Sequence, residues 1–274
     1  MGAPPHTGGG RAEYAPGIAS VTDWDGFVRE LDHWEAAECA ATLWWRDDDA
    51  SALTEALQRM ISLKERHRVP LGLAVIPAAA DQGLGFLRTL PKGINILQHG
   101  FAHVNHAPAN EKKAEFGEHR AMTVMSEEIA AGAERLRALA AERFLAIFVP
   151  PWNRLTPALM PALPGLGFSG LSTFAPRRDR LPAAGLCQVN THVDLIDWRG
   201  GRRPKRASRL IDEITSHLAA RRADEVDTDE PTGVLTHHLD HGDESWDFLD
   251  ELFAVTHEHP AARWLSPKEA LDAG

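Results

Sequence analysis

The sequence predicts one α/β domain, a distorted (β/α)7–8 barrel with helices packed outside a parallel sheet. Three observations support this fold class. Short apolar runs alternate with segments of helical periodicity along nearly the whole chain. No glycine-rich phosphate-binding loop is present, which argues against a dinucleotide-binding sheet. The length of 274 residues is within the usual size of one α/β barrel.

The elements of the first half are predicted from apolar spacing. Residues 1–19 are rich in glycine and proline and are expected to form a flexible leader before a single domain of residues 20–274. Helical spacing predicts helices over 22–34 and 53–64, and short apolar runs predict strands over 41–45, 71–76 and 94–97.

The second half repeats this alternation. Ser126 is expected to cap a long helix because Glu127 and Glu128 place negative charge in its first turn. Thr156-Pro157 is typical of another helix start. The remaining expected strands are 144–149, 168–171, 186–193, 234–235 and 263–265. The remaining expected helices are 210–218, 246–255 and a last one opened by Ser266-Pro267.

Composition limits the partners and the compartment. The formal net charge is −10, so neither nucleic acid nor an anionic membrane surface is expected as a partner. The two cysteines, Cys39 and Cys187, are too few for a disulfide framework or a thiolate zinc site. No signal peptide and no membrane span are recognisable, which predicts a cytoplasmic protein. Composition leaves the oligomeric state open.

Two segments that follow expected strands concentrate groups able to bind a cation. One is Trp44-Trp45-Arg46-Asp47-Asp48-Asp49, and the other runs from His99 to His103. Adjacent carboxylates repel one another, and a bound cation would relieve that repulsion. The alternative is a solvated acidic turn without a task. The position of both segments at strand ends favours a shared site, because that edge of a barrel carries the chemistry.

The metal site expected here uses Asp49, His99 and His103. Two imidazoles and a carboxylate suit a divalent ion, with zinc expected and cobalt or nickel as alternatives. The i, i+4 spacing of the histidines places both on one face if their turn is helical. Asp48 would then be a general base beside the metal.

A late histidine is expected to be the general acid. His237 follows an expected strand, and its neighbour His238 is the rival for the same role. Asp194 or Asp197 is expected to hold the imidazole, because an acid–base histidine usually needs a carboxylate partner.

Aromatic and basic residues near these strand ends are expected at the substrate. Trp152, Asn153 and Trp198 are predicted to line the cleft, since aromatic faces pack well on sugar rings or acyl groups. Core packing is the alternative for Trp198. The basic run over 199–209 is either a solvated loop or a surface that attracts an anionic substrate.

The ordered set of motifs resembles the polysaccharide deacetylases of carbohydrate esterase family four, the NodB-homology domain. The matching segments are Asp48-Asp49, His99-Gly100-Phe101-Ala102-His103, Pro151-Trp152, Asp194-Leu195-Ile196-Asp197-Trp198 and Leu235-Thr236-His237. The resemblance covers about residues 41–238 and implies the distorted barrel fold. It also implies the roles given above: Asp48 as base, Asp49, His99 and His103 as metal ligands, and His237 as acid with Asp194 as its partner.

The sequence departs from the family pattern in ways that indicate a divergent branch. The arginine expected two residues before Pro151 is Val149, and Arg46 or Arg154 is the candidate replacement. The third aspartate, Asp47, leaves the register of the Asp pair open, because Asp47-Asp48 is an alternative working pair.

The sequence therefore predicts a metal-dependent hydrolase that removes an acetyl or other acyl group from an amide nitrogen of a sugar-like substrate. One alternative is a metal-dependent amidase or esterase acting on a small non-polymeric substrate. The other is a catalytically inactive barrel that only binds carbohydrate. A small carbohydrate or N-acyl compound is the expected partner.

Overall fold

A computed structural model describes residues 23–273, except the side chains of residues 80–82. The expected leader, residues 1–19, lies outside the described residues. The helices are α1 (Asp25–Ala36), α2 (Glu55–His67), α3 (Met122–Ala140), α4 (Ala207–Arg222), α5 (Asp243–Glu258) and α6 (Pro267–Asp272). The strands are β1 (Ala41–Ala50), β2 (Leu71–Val75), β3 (Ile94–His99), β4 (Phe144–Val149), β5 (Gly170–Leu171), β6 (Cys187–Gln188), β7 (Val193–Asp194), β8 (Ile196–Asp197), β9 (Arg203–Pro204), β10 (Thr232–Thr236) and β11 (Ala262–Leu265).

Eight parallel strands form the wall of a distorted barrel in the order β6-β5-β4-β3-β2-β1-β10-β7. Strand β11 adds to the first half of β1, and β8 with β9 forms a separate antiparallel ribbon. This architecture confirms the predicted (β/α) barrel and its single domain. Among the described helices, none has both the length and the apolar character needed to cross a bilayer.

Strand β1 faces two cores because its side chains alternate. Trp45 points to the outer helical layer, where its ring centroid lies 5.0 Å from that of Phe253 in α5. Trp44 points to the barrel interior and packs in a cluster with Leu97 and Val149 of neighbouring strands. Since alternation has a period of two, Arg46 continues the interior row toward the carboxyl ends of the strands.

The barrel is closed between its edge strands by a short segment rather than by a ladder. The expected continuous strand over 186–193 is wrong, because the structure has two short strands there at opposite edges of the sheet. Between them, the amide of Val189 donates to Leu171 O at 3.0 Å and the amide of His192 donates to Gly233 O at 2.7 Å. Residues 189–192 therefore bridge the gap.

Two local expectations were also wrong. Strand β1 is longer than 41–45, so the three aspartates lie inside the strand and not in a turn after it. Helix α3 starts at Met122, which places the expected cap Ser126 inside the helix. Thr156-Pro157 does start a helix, as predicted, but this is the 3-10 helix Pro157–Ala162, and the side chain of Thr156 does not cap it.

Candidate active site

Three side chains from the ends of β1 and β3 converge on one point. Nε2 of His99 lies 3.1 Å and Nε2 of His103 lies 3.2 Å from Oδ1 of Asp49. One potential ligand atom from each residue lies within 4.8 Å of the other two. One carboxylate oxygen and two imidazole nitrogens are a donor set that zinc and similar divalent ions accept. The structure therefore brings the three expected metal ligands together.

The hydrogen bonding of His99 suits a ligand. Its Nδ1 lies 3.1 Å from the carbonyl oxygen of Val149, which can only accept a hydrogen bond. Nδ1 therefore carries a hydrogen, and Nε2 is the nitrogen that a neutral imidazole would offer to a cation. A hydrogen bond of this kind also fixes the orientation of the ring.

The local charges also suit a cation. Burial opposes ionisation of Asp49, but its hydrogen bond to His99 and the charges of nearby imidazoles outweigh burial and hold its pKa well below the ordinary value. Burial would lower the pKa of His99, but Asp48 and Asp49 raise it. At His103, burial and the charge of His99 lower the pKa. Ionised Asp49 thus attracts positive charge, which a divalent ion would supply.

A bulge in β1 turns Asp49 into the site. The register between β1 and β2 shifts between Asp47 and Ala50, and Asp49 has a φ of 70°. In a regular strand, Asp48 and Asp49 would point to opposite faces. A bulge re-aims one of the two side chains, so neighbouring carboxylates can serve one site.

His103 is placed by a non-helical loop that a buried glutamate holds. Glu115 is 1% exposed, and its carboxylate accepts hydrogen bonds from the amides of Phe101 at 3.1 Å and Ala102 at 2.7 Å. Gly100 and His103 have φ values of 55° and 56°. The loop is therefore not the helical turn considered for the i, i+4 spacing.

The base candidate Asp48 is held by Arg46. Nε of Arg46 donates to Oδ1 of Asp48 at 2.9 Å, and Nη2 donates to Oδ2 at 3.0 Å. Both side chains are buried, and Arg46 also donates to Ser172 Oγ at 2.6 Å. A bidentate pair fixes the orientation of a carboxylate as well as balancing its charge. Of the two candidate replacements for the arginine absent at Val149, Arg46 is the one that contacts Asp48.

The other proposed replacement lies elsewhere. Arg154 is exposed, and its Nη1 donates to the carbonyl oxygen of Lys113 at 2.9 Å. Asn153 was expected to contact substrate, but its Oδ1 accepts a hydrogen bond from Arg46 at 2.7 Å. Within the described residues, Asn153 therefore supports the Arg46–Asp48 pair.

Asp47 has a different partner and lies against the outer layer. Its carboxylate is fully buried and contacts Nδ1 of His238 at 2.6 Å. It also accepts hydrogen bonds from the hydroxyl of Thr236 at 2.7 Å and from the amide of His238 at 3.0 Å. The three aspartates thus have three different sets of partners. Both the amide and Nδ1 of His238 contact Asp47.

His237 is placed beside Asp194. Its Nδ1 lies 3.6 Å from Oδ1 of Asp194, an ion-pair distance longer than an ordinary hydrogen bond. The other oxygen of Asp194 accepts a hydrogen bond from Nε1 of Trp198 at 2.7 Å, which orients the carboxylate. Asp197, the alternative partner, accepts instead from the amide of Gly200 at 2.8 Å.

The charges of the site act on His237. Burial would lower its pKa, but Asp194, Asp48 and Asp49 together raise the pKa to about 9. An imidazole with this pKa is protonated near neutral pH and has a proton to give.

Each of two tryptophans contacts one of the histidines. The ring centroid of Trp152 lies 4.4 Å from that of His103, and that of Trp198 lies 4.7 Å from that of His237. Trp152 has a φ of 55°, a conformation that is rare for a bulky residue and tends to occur at functional sites. Trp198 is 43% exposed and is therefore not packed in the core.

Glu115 is the site residue that the sequence analysis missed. It lies in a charged segment without an apparent pattern, between Ala114 and Phe116, which are both buried. The one available signal was its position between two core residues, since a carboxylate there must find partners.

No family model and no curated protein matches the sequence. Several solved structures share its fold. A candidate polysaccharide deacetylase from Mycobacterium smegmatis is 14% identical, with a TM-score of 0.62 over 85% of this chain and 90% of that chain. A family 4 acetyl xylan esterase from Clostridium thermocellum in complex with cobalt is 13% identical, with a TM-score of 0.51 over 84% and 90%.

A third similar structure is a carbohydrate esterase family 4 pseudoenzyme from Bacillus anthracis. It is 12% identical, with a TM-score of 0.54 over 85% of this chain and 66% of that chain. The fold of this protein is therefore that of the polysaccharide deacetylases, which confirms the structural side of the resemblance seen in the sequence. The low identity agrees with a divergent branch.

Proposed function

We propose that the protein is a metal-dependent hydrolase that removes an acetyl group from an amide nitrogen of a sugar-like substrate. The observation that carries this proposal is the convergence of Asp49, His99 and His103 beside the Arg46–Asp48 pair. The deacetylases and esterases among the similar folds support the same reaction class.

Asp49, His99 and His103 would hold the metal, with zinc expected. A divalent ion there would polarise the acyl carbonyl and a water molecule. The remaining chemistry belongs to side chains of the protein. Asp48, kept in one orientation by Arg46, accepts the proton of the attacking water.

His237 donates a proton to the departing amine nitrogen, and its partner Asp194 keeps the ring in place. The two proton-transfer groups come from different strands, β1 and the end of β10, so the acyl group would sit between them. Trp152 and Trp198 would pack against the sugar ring from the two sides.

The substrate is proposed to be a small N-acetylated carbohydrate in the cytoplasm. The inactive carbohydrate-binding alternative was motivated by Val149, where the family has an arginine. The bidentate contact between Arg46 and the candidate base Asp48 supports an active site despite that departure.

Metal content and acetate release test the proposal. The purified protein should contain about one divalent ion per chain, and Asp49→Asn and His99→Ala should lose the ion together with acetate release from N-acetylated oligosaccharides. Asp47→Asn is the matched control, because Asp47 contacts His238 rather than the metal ligands. We expect it to retain the ion.

Full metal retention in both Asp49→Asn and His99→Ala would refute the site. Loss of the metal in Asp47→Asn, with the fold intact by circular dichroism, would show that the choice of Asp48-Asp49 as the working pair is wrong. Faster hydrolysis of small amides than of N-acetylated sugars would instead favour the amidase alternative.

A further inference from the structure

A cation lies against each of the two cleft tryptophans on the described surface. Nζ of Lys113 lies 5.9 Å from the ring centroid of Trp152, and Cζ of Arg202 lies 5.5 Å from that of Trp198. The same rings contact His103 and His237. Each of the two tryptophans therefore contacts one histidine of the candidate site and one cation.

The two cations differ in their charge balance. Arg202 forms a bidentate pair with Asp240, at 2.6 Å and 3.1 Å, so its charge is largely neutralised. Lys113 is exposed and has no carboxylate within ion-pair distance among the described side chains. Of these two cations, Lys113 is therefore the one whose charge is not neutralised.

Arg154 adds a second cation at the same place. It follows the Trp152 segment directly, is exposed, and donates to the backbone oxygen of Lys113 at 2.9 Å. This contact is to a neutral acceptor and leaves the charge of Arg154 uncompensated. Two positive charges next to one wall contrast with the net charge of −10 of the whole protein.

The basic run predicted from the sequence is only half paired with carboxylates. Lys205 and Arg209 both pair with Glu213, at 2.7 Å and 2.9 Å, and Arg202 pairs with Asp240. Arg199, Arg203 and Arg206 are exposed and have no carboxylate partner in the described part of the chain, but none of them lies over the ring of Trp152 or Trp198. Among the described cations over the two cleft tryptophans, Lys113 is thus the one without a neutralising partner.

We propose that Lys113 and Arg154 form a subsite for an anionic group, so that the preferred substrate is an N-acyl sugar bearing a carboxylate or a phosphate. This inference rests on the proposed function for the reaction, but the recognition itself is a binding property. Lys113 and Arg154 would act on specificity, beside the ring of Trp152 that also contacts His103.

Binding to a slowed enzyme separates recognition from catalysis. The zinc-loaded Asp48→Asn variant is titrated calorimetrically with N-acetylglucosamine, N-acetylmuramic acid and N-acetylglucosamine 6-phosphate. We expect one or both anionic sugars to bind more tightly than the neutral sugar. The preference should fall by about two- to fivefold on adding Lys113→Gln or Arg154→Gln, and it should weaken as salt is raised from about 20 mM to about 300 mM.

Lys112→Gln is the matched control, because it removes an exposed neighbouring lysine that has no contact with Trp152 in the structure. It should keep the preference. The ligand whose affinity depends more on Lys113 identifies the anion as carboxylate or phosphate.

Equal affinity for neutral and anionic sugars would overturn the proposal, as would a preference that survives both Lys113→Gln and Arg154→Gln. Absence of sugar binding would overturn it as well. Acetate release by the wild-type enzyme is measured in parallel. Anion-dependent binding without any acetate release would refute the proposed reaction while leaving this subsite in place.

Discussion

At the scale of single residues, the three adjacent aspartates avoid mutual repulsion by facing different partners. Asp47 pairs with His238, Asp48 with Arg46, and Asp49 with the histidines of β3 and its loop. The alternation of β1 points Asp47 away from Asp48, and the bulge turns Asp49 toward the site that Asp48 also faces. The strand geometry therefore supports Asp48-Asp49 as the candidate pair.

We predict that Arg46→Lys weakens both stability and catalysis. Lysine keeps the charge but cannot make two parallel hydrogen bonds to Asp48, nor reach Ser172 and Asn153 as well. The free energy of unfolding should fall by about 1–3 kcal/mol, and kcat for acetate release should fall at least about tenfold. Chemical denaturation and steady-state kinetics measure the two effects.

Arg59→Lys is the control for this substitution. Arg59 pairs with Asp243 on the surface, where an ion pair contributes little. A change of less than about 0.5 kcal/mol is expected. If Arg46→Lys were as mild as Arg59→Lys in both assays, the pair would not hold the base.

The residues of the candidate metal site were predictable from the sequence, but several of their partners were not. Asp49, His99 and His103 were recognisable by residue type and by their position near the carboxyl ends of two strands. The Arg46–Asp48 contact depends on the interior row of β1 and on the bulge, which no local pattern signals. Glu115 was missed because its role depends on backbone amides, and any sequence can provide those.

At the scale of elements, the site depends on backbone conformations that side-chain types do not announce. Asp49, His103, Trp152 and Asn153 all have φ values between 55° and 70°. Such conformations cost about 1–3 kcal/mol each and persist where the surroundings impose them. Here Glu115 and the packing around Pro151 impose them on the β3 and β4 loops.

Gly100→Ala is predicted to disrupt the metal site through the loop. Gly100 has a φ of 55°, and an added Cβ would overlap Oε2 of Glu115 and lie 2.5 Å from Cγ of Pro151. The loop must move, and His103 moves with it. Metal affinity, measured by competition with a chromogenic chelator, should fall at least about tenfold.

Gly85→Ala provides the comparison, because nothing lies within 4 Å of the added Cβ and its backbone needs no positive φ. It should leave metal affinity unchanged. Equal affinities in the two variants would mean that the loop tolerates the shift and does not define the site.

Element positions were predicted best where apolar runs are continuous. Strand β4 has the bounds 144–149 expected from the sequence. The start of α3 was predicted too late in the chain, because Ala121, the residue before the helix, has no capping side chain that the sequence could reveal. Burial of Met125 favours the additional helical turn. One strand was predicted over 186–193 in place of two short ones, because Val189 in the segment between them is apolar and buried like a strand residue.

At the scale of the whole molecule, two imidazoles lie together where the barrel closes, the buried side chain of His192 and the half-buried His217 of α4. Nδ1 of His192 accepts a hydrogen bond from the amide of Gly233 at 2.9 Å, and its Nε2 faces Glu230 at 3.3 Å. The ring of His192 stacks on that of His217 with centroids 3.6 Å apart. Two stacked rings cannot both be charged without strong repulsion.

Stability should therefore fall with decreasing pH. Burial, His192 and Arg221 lower the pKa of His217 to about 2, while the unfolded value is near 6.5. Between these values the unfolded chain binds a proton that the folded protein excludes, so acid favours unfolding. At pH 5, the proton bound by His217 in the unfolded chain should lower the free energy of unfolding by about 2 kcal/mol.

Urea denaturation of the wild type and His217→Gln at pH 7.5 and pH 5 tests this expectation. The loss of stability on acidification should be smaller in His217→Gln. The exposed His257, changed to glutamine, should retain the wild-type loss. An identical loss in His217→Gln and the wild type would contradict the prediction.

The position of Arg46 bears on how inactive relatives are recognised. A search that inspects only the position occupied here by Val149 would count the motif arginine as missing. In this protein Arg46, on β1 instead of β4, forms a bidentate pair with the candidate base Asp48. A protein should therefore be classed as inactive only when the contact between a guanidinium and the base is absent from its structure. A difference at one motif position is not enough.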